Sequence, residues 1–227
     1  MKMFLTAAVV LATLTSCNFT VSSGSNNNEI VGSSETQTRT VEVLPFDDLT
    51  INIPCDVVYE LGAPKIVIVA SEKYMNHIVV DQDNDGSVTI KTDDKRIRSF
   101  RNTKVYITSD VLSVLSINGA VDMECKHGIR STGDFSLTLN GAGDLDIAGL
   151  DADNVTVRCN GAADLELSGL NASALDVTLN GAGDITVGGQ VERARLTING
   201  AGDIDATQLE AASIRPSVNG VGSIRTR

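Results

Sequence analysis

From residue 114 onward, apolar and polar residues alternate in short runs, and the runs return at fixed distances. Leu115/Ile117, Leu137/Leu139, Val157/Cys159, Val177/Leu179 and Leu196/Ile198 form one set. Met123/Cys125, Leu145/Ile147, Leu165/Leu167, Ile185/Val187 and Ile204/Ala206 form a second. Alternation places successive side chains on opposite faces, so each run predicts a short β-strand with one face inward and one in water. A third apolar position, Leu150, Leu170, Val191 or Leu209, follows the second set. Between the sets stands one recurring phrase: Asn118-Gly-Ala-Val-Asp122, Asn140-Gly-Ala-Gly-Asp144, Asn160-Gly-Ala-Ala-Asp164, Asn180-Gly-Ala-Gly-Asp184, Asn199-Gly-Ala-Gly-Asp203 and Asn219-Gly-Val-Gly-Ser223. Its Asn positions step by 22, 20, 20, 19 and 20 residues.

A steady period near 20 requires equivalent residues to lie above one another. The predicted fold is therefore all-β: a single-stranded parallel β-helix, expected to be right-handed, with strands stacked about 4.8 Å apart around a thin apolar core. Six such coils span roughly 29 Å. The Asn-Gly phrase is the predicted corner. Asn tolerates the left-handed backbone region and Gly enters it freely, so Gly181→Val is expected to cost about 1 kcal/mol or more if φ there is positive. Stacking also puts Asn118, Asn140, Asn160, Asn180, Asn199 and Asn219 in one column, where each side-chain amide can donate to the next carbonyl. Asn-Gly is equally a hairpin signal, but a meander turns every ~8–12 residues in varied chemistry, whereas this phrase comes once per period.

Residues 41–110 carry strand patterns without the repeat, over 49–53, 56–61, 65–70, 77–80, 87–92 and 104–108. They predict irregular initial coils and a hairpin that cap the stack and shield its first edge. Residues 41–227 are then one domain, irregular over 41–110 and regular over 111–227. Ahead of it, Met1-Lys2-Met3 and the apolar run 4–14 predict a secretory leader over residues 1–16. The run ends Leu14-Thr15-Ser16-Cys17, which resembles the lipobox of bacterial lipoproteins and implies that Cys17 is acylated, making an outer membrane a partner through the lipid. Residues 17–40, rich in Ser, Asn and Thr, read as a flexible tether reaching roughly 25 Å from the bilayer. No acidic run follows Cys17, so the surface-export signal of Bacteroidetes-like lipoproteins is not evident and the periplasmic side is favoured.

The 227 residues are 42% hydrophobic with a formal net charge of −11, which loss of the leader and its Lys2 would make −12. A chain this acidic, with no basic patch, is not built for nucleic acid or anionic membrane surfaces. Five Phe, three Tyr and no Trp leave little for a deep sugar-stacking groove. Cys55, Cys125 and Cys159 are odd in number, lack a CxxC spacing and have no suitably spaced partner in His77 or His127, which predicts buried free thiols rather than metal ligands.

Two acidic features could carry chemistry. Asp81-Gln-Asp83-Asn-Asp85-Gly86 places oxygens at alternate positions before a glycine, as at the start of an EF-hand calcium loop. Position twelve is Thr92 rather than Glu, however, and Asp85-Gly86 between two strand patterns is also an ordinary hairpin turn. The column Asp122, Asp144, Asp164, Asp184 and Asp203 would suffer a repulsion of about 1 kcal/mol per neighbour in water, and about 3–4 kcal/mol at an effective dielectric near 20. Solvent and turn amides are expected to relieve it, or else bound cations such as calcium. No other cofactor is expected.

The segments Ser116-Ile117-Asn118-Gly119-Ala120 and Thr197-Ile198-Asn199-Gly200-Ala201, with their Gly-Asp continuation and the leader, resemble the GIN-domain family of auto-transporter adhesin heads over about residues 41 to 225. The resemblance implies a parallel β-helix and an envelope location, and it brings no catalytic residues. Departures from the repeat fall at Val121, Ala163 and Ser223. Two function classes remain. One is a non-catalytic, lipid-tethered module whose surface contacts protein or glycan, with self-association end to end or side by side as a further expectation. The other is a polysaccharide-processing lyase or glycoside hydrolase. A catalytic site should interrupt the repeat with clustered Asp, Arg, Lys, Tyr or His on one outer sheet; the departures here are conservative and the basic residues scattered, which favours the first class.

Overall fold

Alternating strands that cannot bury their apolar face alone are completed by their neighbours, and the computed structural model, which describes residues 13–14, 36–94, 97, 100 and 102–227, shows how. Each regular coil gives one strand before the Asn corner and one after it, and these stack into a leading and a trailing sheet. The leading sheet runs through Val114–Ile117, Phe135–Leu139 and Asn154–Cys159, then through residues 174–179, 193–198 and 213–218 of the long strands Ala162–Leu179, Ile185–Ile198 and Ile204–Val218, parallel throughout. The trailing sheet runs through Val121–Cys125, Ala142–Ile147, residues 162–167, 185–187 and 204–206, and Ile224–Thr226. A short third stack, starting with Ile129–Arg130 and Leu150–Asp151, closes each turn.

Leu115, Leu137, Val157, Val177 and Leu196 form a single partner column, each at most 1% exposed. The second predicted set is buried in the same way, and Leu150, Leu170, Val191 and Leu209 line the third wall. Burying each such side chain stabilises the coil by about 1.5–3 kcal/mol. The spacing of 19 between Asn180 and Asn199 also has a local cause. Between the pairs Leu167↔Val187 and Leu170↔Gly189, one strand carries one residue fewer than its neighbour. Gly189 absorbs this with φ +128°, at a point where a Cβ would lie 2.1 Å from the Leu170 carbonyl oxygen.

The N-terminal part differs from a simple series of initial coils. Asp48–Ile51 pairs in parallel with both Val114–Ile117 and Ser87–Thr92, and Cys55–Leu61 pairs in parallel with both Val121–Cys125 and Lys104–Ser109. The first coil of the chain is thus an interior layer of the stack. After Leu61 the chain leaves it, builds the end, and crosses back to the other side at Val114. The end itself is antiparallel: Ile78–Gln82 extends the leading sheet, and Lys65–Ser71 then Thr36–Val41 extend the trailing sheet. Strands of alternating direction do not continue the parallel coil, so they stop the stack. The side chain of Gln82 covers part of that rim, accepting from the Leu44 amide at 2.8 Å and donating to its carbonyl at 3.0 Å. Thr13–Leu14, the described part of the predicted leader, adds a two-residue antiparallel ladder to Thr36–Val41.

At the opposite end, among the described residues, no strand lies beyond residues 213–218. The Asn219 amide donates back to Ile198 O at 2.7 Å, so by alternation the backbone groups of Val218, Pro216 and Ile214 face the open side. Pro216 has no N–H to present there, which removes one donor from the exposed edge.

Candidate functional site

The corner is a ladder of asparagines. The Nδ2 of each Asn donates to Oδ1 of the Asn one coil earlier at 2.7–3.0 Å, from Asn219 back through Asn199, Asn180, Asn160 and Asn140 to Asn118. It then continues one step beyond prediction, to Asn52, at 2.7 Å. The backbone basis of the corner differs from the expected one. Among the described residues the one non-glycine with positive φ is Asn102, so the ladder asparagines are not left-handed. Neither is the glycine that follows each of them; it is required by close approach, since a Cβ on Gly141, Gly161 or Gly181 would sit 1.7 Å from the carbonyl oxygen of the glycine below. The second glycine carries the positive φ, from +134° to +149° at Gly143, Gly183, Gly202 and Gly222. At the equivalent position nearer the cap, Val121 and its partner Cys55 bury side chains instead, which accounts for the departure at Val121.

Four residues after each ladder Asn, the trailing sheet begins its outer face with an aspartate. Asp122, Asp144, Asp164, Asp184 and Asp203 stack as predicted, and Asp56 extends the column toward the cap. Their repulsion is met by backbone. Oδ1 of Asp122, Asp164 and Asp184 accepts the amide of the next aspartate at 3.2, 2.8 and 2.9 Å. A hydrogen bond to a charged group is worth about 1.5–3 kcal/mol, against about 1 kcal/mol of repulsion between carboxylates in water, so these amides offset the repulsion at the three steps where they occur. Ser223, the third departure, ends the column by donating its Oγ at 2.9 Å and its amide at 2.7 Å to Asp203 Oδ1, which holds that carboxyl below its usual range. Ala163 keeps the backbone register opposite Gly143.

Beside the column runs a second outward row, Val58, Glu124, Asp146, Glu166, Thr186 and Asp205. Together the rows form an open groove of about 600 Å³, with Lys104 and Asp56 near one end and Asp184 and Thr186 near the other. Lys126 pairs with Glu124 at 2.8 Å and Arg225 with Asp205 at 3.3 Å. Thr207 donates its Oγ1 and amide to Asp205 and lowers that carboxyl as well.

The leading sheet has a different outer surface. Two residues before the ladder Asn stand Thr50, Ser116, Thr138, Arg158, Thr178, Thr197 and Ser217, in register. The adjoining column holds Ser136, Thr156, Asp176, Arg195 and Arg215. On the third wall, Asn171 donates to Asp151 at 3.0 Å, and Arg227 reaches Glu210 at 3.3 Å.

The calcium candidate is laid out as a hairpin turn. Asp81 pairs with Lys91 at 2.7 Å, while Asp85 accepts the Oγ and amide of Ser87 at 2.6 and 3.1 Å. Gly86 turns with φ +91°, and the Asp83 amide closes onto Ser87 O at 2.9 Å. Asp81, Asp83 and Asp85 are therefore not gathered on one point, and no group of three or more His, Cys, Asp or Glu converges to hold a metal among the described residues. Cys55, Cys125 and Cys159 are buried and unpaired, with burial pushing their thiols up to about 12, 11 and 11. Cys17 lies outside the described residues. The members of the two columns missed from sequence, Asn52 and Asp56, did carry a signal: Asn52-Ile-Pro-Cys-Asp56 keeps the Asn-to-Asp spacing of the repeat without its glycines.

Solved structures share this architecture, two of them as follows. A putative adhesin from Bacteroides fragilis is 22% identical with a TM-score of 0.71, covering 86% of this chain and 98% of its own. A putative lipid binding protein from Parabacteroides distasonis is 17% identical with a TM-score of 0.59 over the same shares. No curated protein matches the sequence. The family model for the putative auto-transporter adhesin, head GIN domain, matches residues 45–171 and 137–227, and the chain belongs to that family.

Proposed function

We propose that this chain is a non-catalytic binding module of the cell envelope, held to a membrane by a lipid on Cys17 and presenting its outer sheets to protein or glycan partners. The observation that carries this reading is the in-register display of polar side chains on a surface whose backbone cannot shift. The Asn ladder ties each coil to the next, and amides bound to Asp122, Asp164, Asp184 and Asp203 add a second tie at four steps, so the face is held in place before a partner arrives. Such preorganisation lowers the ordering cost of binding. The carboxylates repeat from coil to coil rather than standing out as a unique pair, which is what a contact surface requires and what an acid/base site does not. Membership in an adhesin family supports the same reading.

Protease shaving of intact host cells that carry the full chain tests the location, with Cys17→Ser as the comparison. The expected outcome is membrane retention of the parent chain and release or impaired processing of the variant; equal retention places the anchor elsewhere. Digestion in intact cells assigns the surface, and protection assigns the periplasmic side. Glycan turnover by the purified chain, lost on Asp164→Asn, would replace the binding reading by an enzymatic one.

A further inference from the structure

We infer that the acidic trailing face of one molecule docks on the arginine-bearing leading face of a second copy, side by side, with the coils of the two in step. The charge on this solenoid is segregated. The trailing face carries the six-aspartate column and the Glu124, Asp146 and Glu166 row, with its cations confined to Lys126 and the two ends. The leading strands from Val114 onward point Arg158, Arg193, Arg195 and Arg215 outward, against Asp176 within the strands and Asp134 just before Phe135, which lies in the Arg193 column and accepts from Asn154. Their intramolecular partners are weak. Arg195 stands 4.0 Å from Asp176 and Arg193 3.8 Å from Glu192, all with exposed side chains, and among the described residues Arg158 and Arg215 have no carboxylate within 4 Å.

The geometry fits as well as the sign. Both faces are built by the same coils, so both repeat every ~4.8 Å along the stack, and Arg195 and Arg215, neighbours in one column, can meet successive carboxylates of a trailing column together. A strand of five or six residues is ~17–20 Å long and six spacings are ~29 Å, giving a face of about 500–580 Å². Two such faces bury roughly 1,000–1,200 Å², at the low end of specific interfaces, so the contact is transient rather than obligate. Net negative charge opposes association at long range, but the Debye length is about 10 Å at 0.1 M salt, so this repulsion is largely screened while contacts at hydrogen-bond distance are weakened less. Each copy offers both faces, which makes the contact heterologous and the assembly an open row. The alternative of edge-to-edge growth is blunted at one end by Pro216 and at the other by the antiparallel cap.

The inference concerns the two faces and stands whether or not the chain binds a host or envelope ligand. It is tested by sedimentation velocity on the full chain carrying Cys17→Ser, up to about 0.5 mM at about 0.1 M salt, where contacts of this size become populated. One variant reverses the leading face, Arg195→Glu with Arg215→Glu; the other reverses the trailing face, Glu124→Lys with Glu166→Lys. All four side chains are on outward positions, and unchanged melting curves verify the fold. The parent is expected to show a concentration-dependent series of oligomers, each variant alone a monomer, and the equimolar mixture renewed association, because the trailing face left intact in one variant meets the leading face left intact in the other. A parent that stays monomeric, a variant that self-associates like the parent, or a mixture that stays monomeric overturns the assignment.

Discussion

Replacing Gly181 by Ala adds one methyl group at a corner where two backbones nearly touch. The new Cβ would lie 1.7 Å from Gly161 O and 2.7 Å from its carbonyl carbon, while on its other side the Gly181 carbonyl accepts the Ala201 amide at 2.9 Å. Relief to 3.0 Å, the lower limit of real Cβ contacts, requires the corner to open by about 1.3 Å. The bonds at that corner are the Ala182 amide to Gly161 O at 2.9 Å and Asn180 Nδ2 to Asn160 Oδ1 at 2.7 Å, and an opening of this size breaks both. Losing two neutral hydrogen bonds costs about 1–3 kcal/mol. Restricting the unfolded chain returns only about 0.4–1 kcal/mol. With the strain left at the corner, the net destabilisation is about 2 kcal/mol, or a fall of roughly 4–8 °C in Tm for a domain of this size. Gly133 is the control, because its Cβ would meet nothing within 4 Å and its φ is not positive; Gly133→Ala should be neutral or slightly stabilising. Urea denaturation with a shared m value is the assay. If Gly181→Ala unfolds at or above the midpoint of the parent while Gly133→Ala behaves as stated, close approach does not explain the invariant glycine of the phrase.

The asparagine ladder makes a graded prediction. Asn160 both donates and accepts, whereas Asn219 only donates within the described stack, so Asn160→Ala should cost about 1–3 kcal/mol and Asn219→Ala about half, measured by the same denaturation curves. The buried thiols predict a pH dependence. Their folded values lie above the ordinary 9.0, so their contribution is complete below about pH 9 and is lost as pH rises toward 11 and 12, at up to ~1.4 kcal/mol per unit per thiol. Thiol titration at pH 8 of the native protein carrying Cys17→Ser should find no reactive cysteine until denaturant is added, and replacing the three buried cysteines by Ala should flatten the alkaline decline.

How much of this was legible in the sequence depended on whether the constraint repeats. Leu115, Leu137, Val157, Val177 and Leu196 were assigned inward from alternation and period alone, and all are buried. The Asn column and its corner followed from the same spacing. Asn52 and Asp56 escaped because Ile53-Pro54-Cys55 replaces the glycines by which the phrase was recognised, although the Asn-to-Asp spacing survived. The position of their coil inside the stack could not be read at all. Parallel pairing on both sides of Asp48–Leu61 depends on where the chain goes after Leu61, and neither the hydrophobic pattern nor any turn signal encodes that route. The reason for the first glycine was also hidden, because Asn-Gly has a strong local meaning and the true constraint comes from a residue 20 positions away.

The same physics separates what can vary in this molecule from what cannot. Inward positions are held by packing, and corner glycines by backbone contact, so neither can take part in recognition without loss of the fold. Outward positions are free of both demands. On the trailing face that freedom has been used to repeat carboxylates, despite a repulsion that a neutral residue would avoid. A free outward position that nevertheless keeps one charge through coil after coil needs a cause within the molecule or outside it. The internal cause is partial: aspartate is the residue whose short side chain can accept the next amide, which accounts for the column. It does not account for Glu124, Asp146 and Glu166, which among the described residues have no carboxylate-to-amide bond to the next coil. Of these, Glu124 has its cation in Lys126 at 2.8 Å, while for Asp146 and Glu166 no ion pair is found among the described residues. That second row is therefore where a cationic partner surface should be sought first, and where charge reversal should change binding while leaving the melting curve in place.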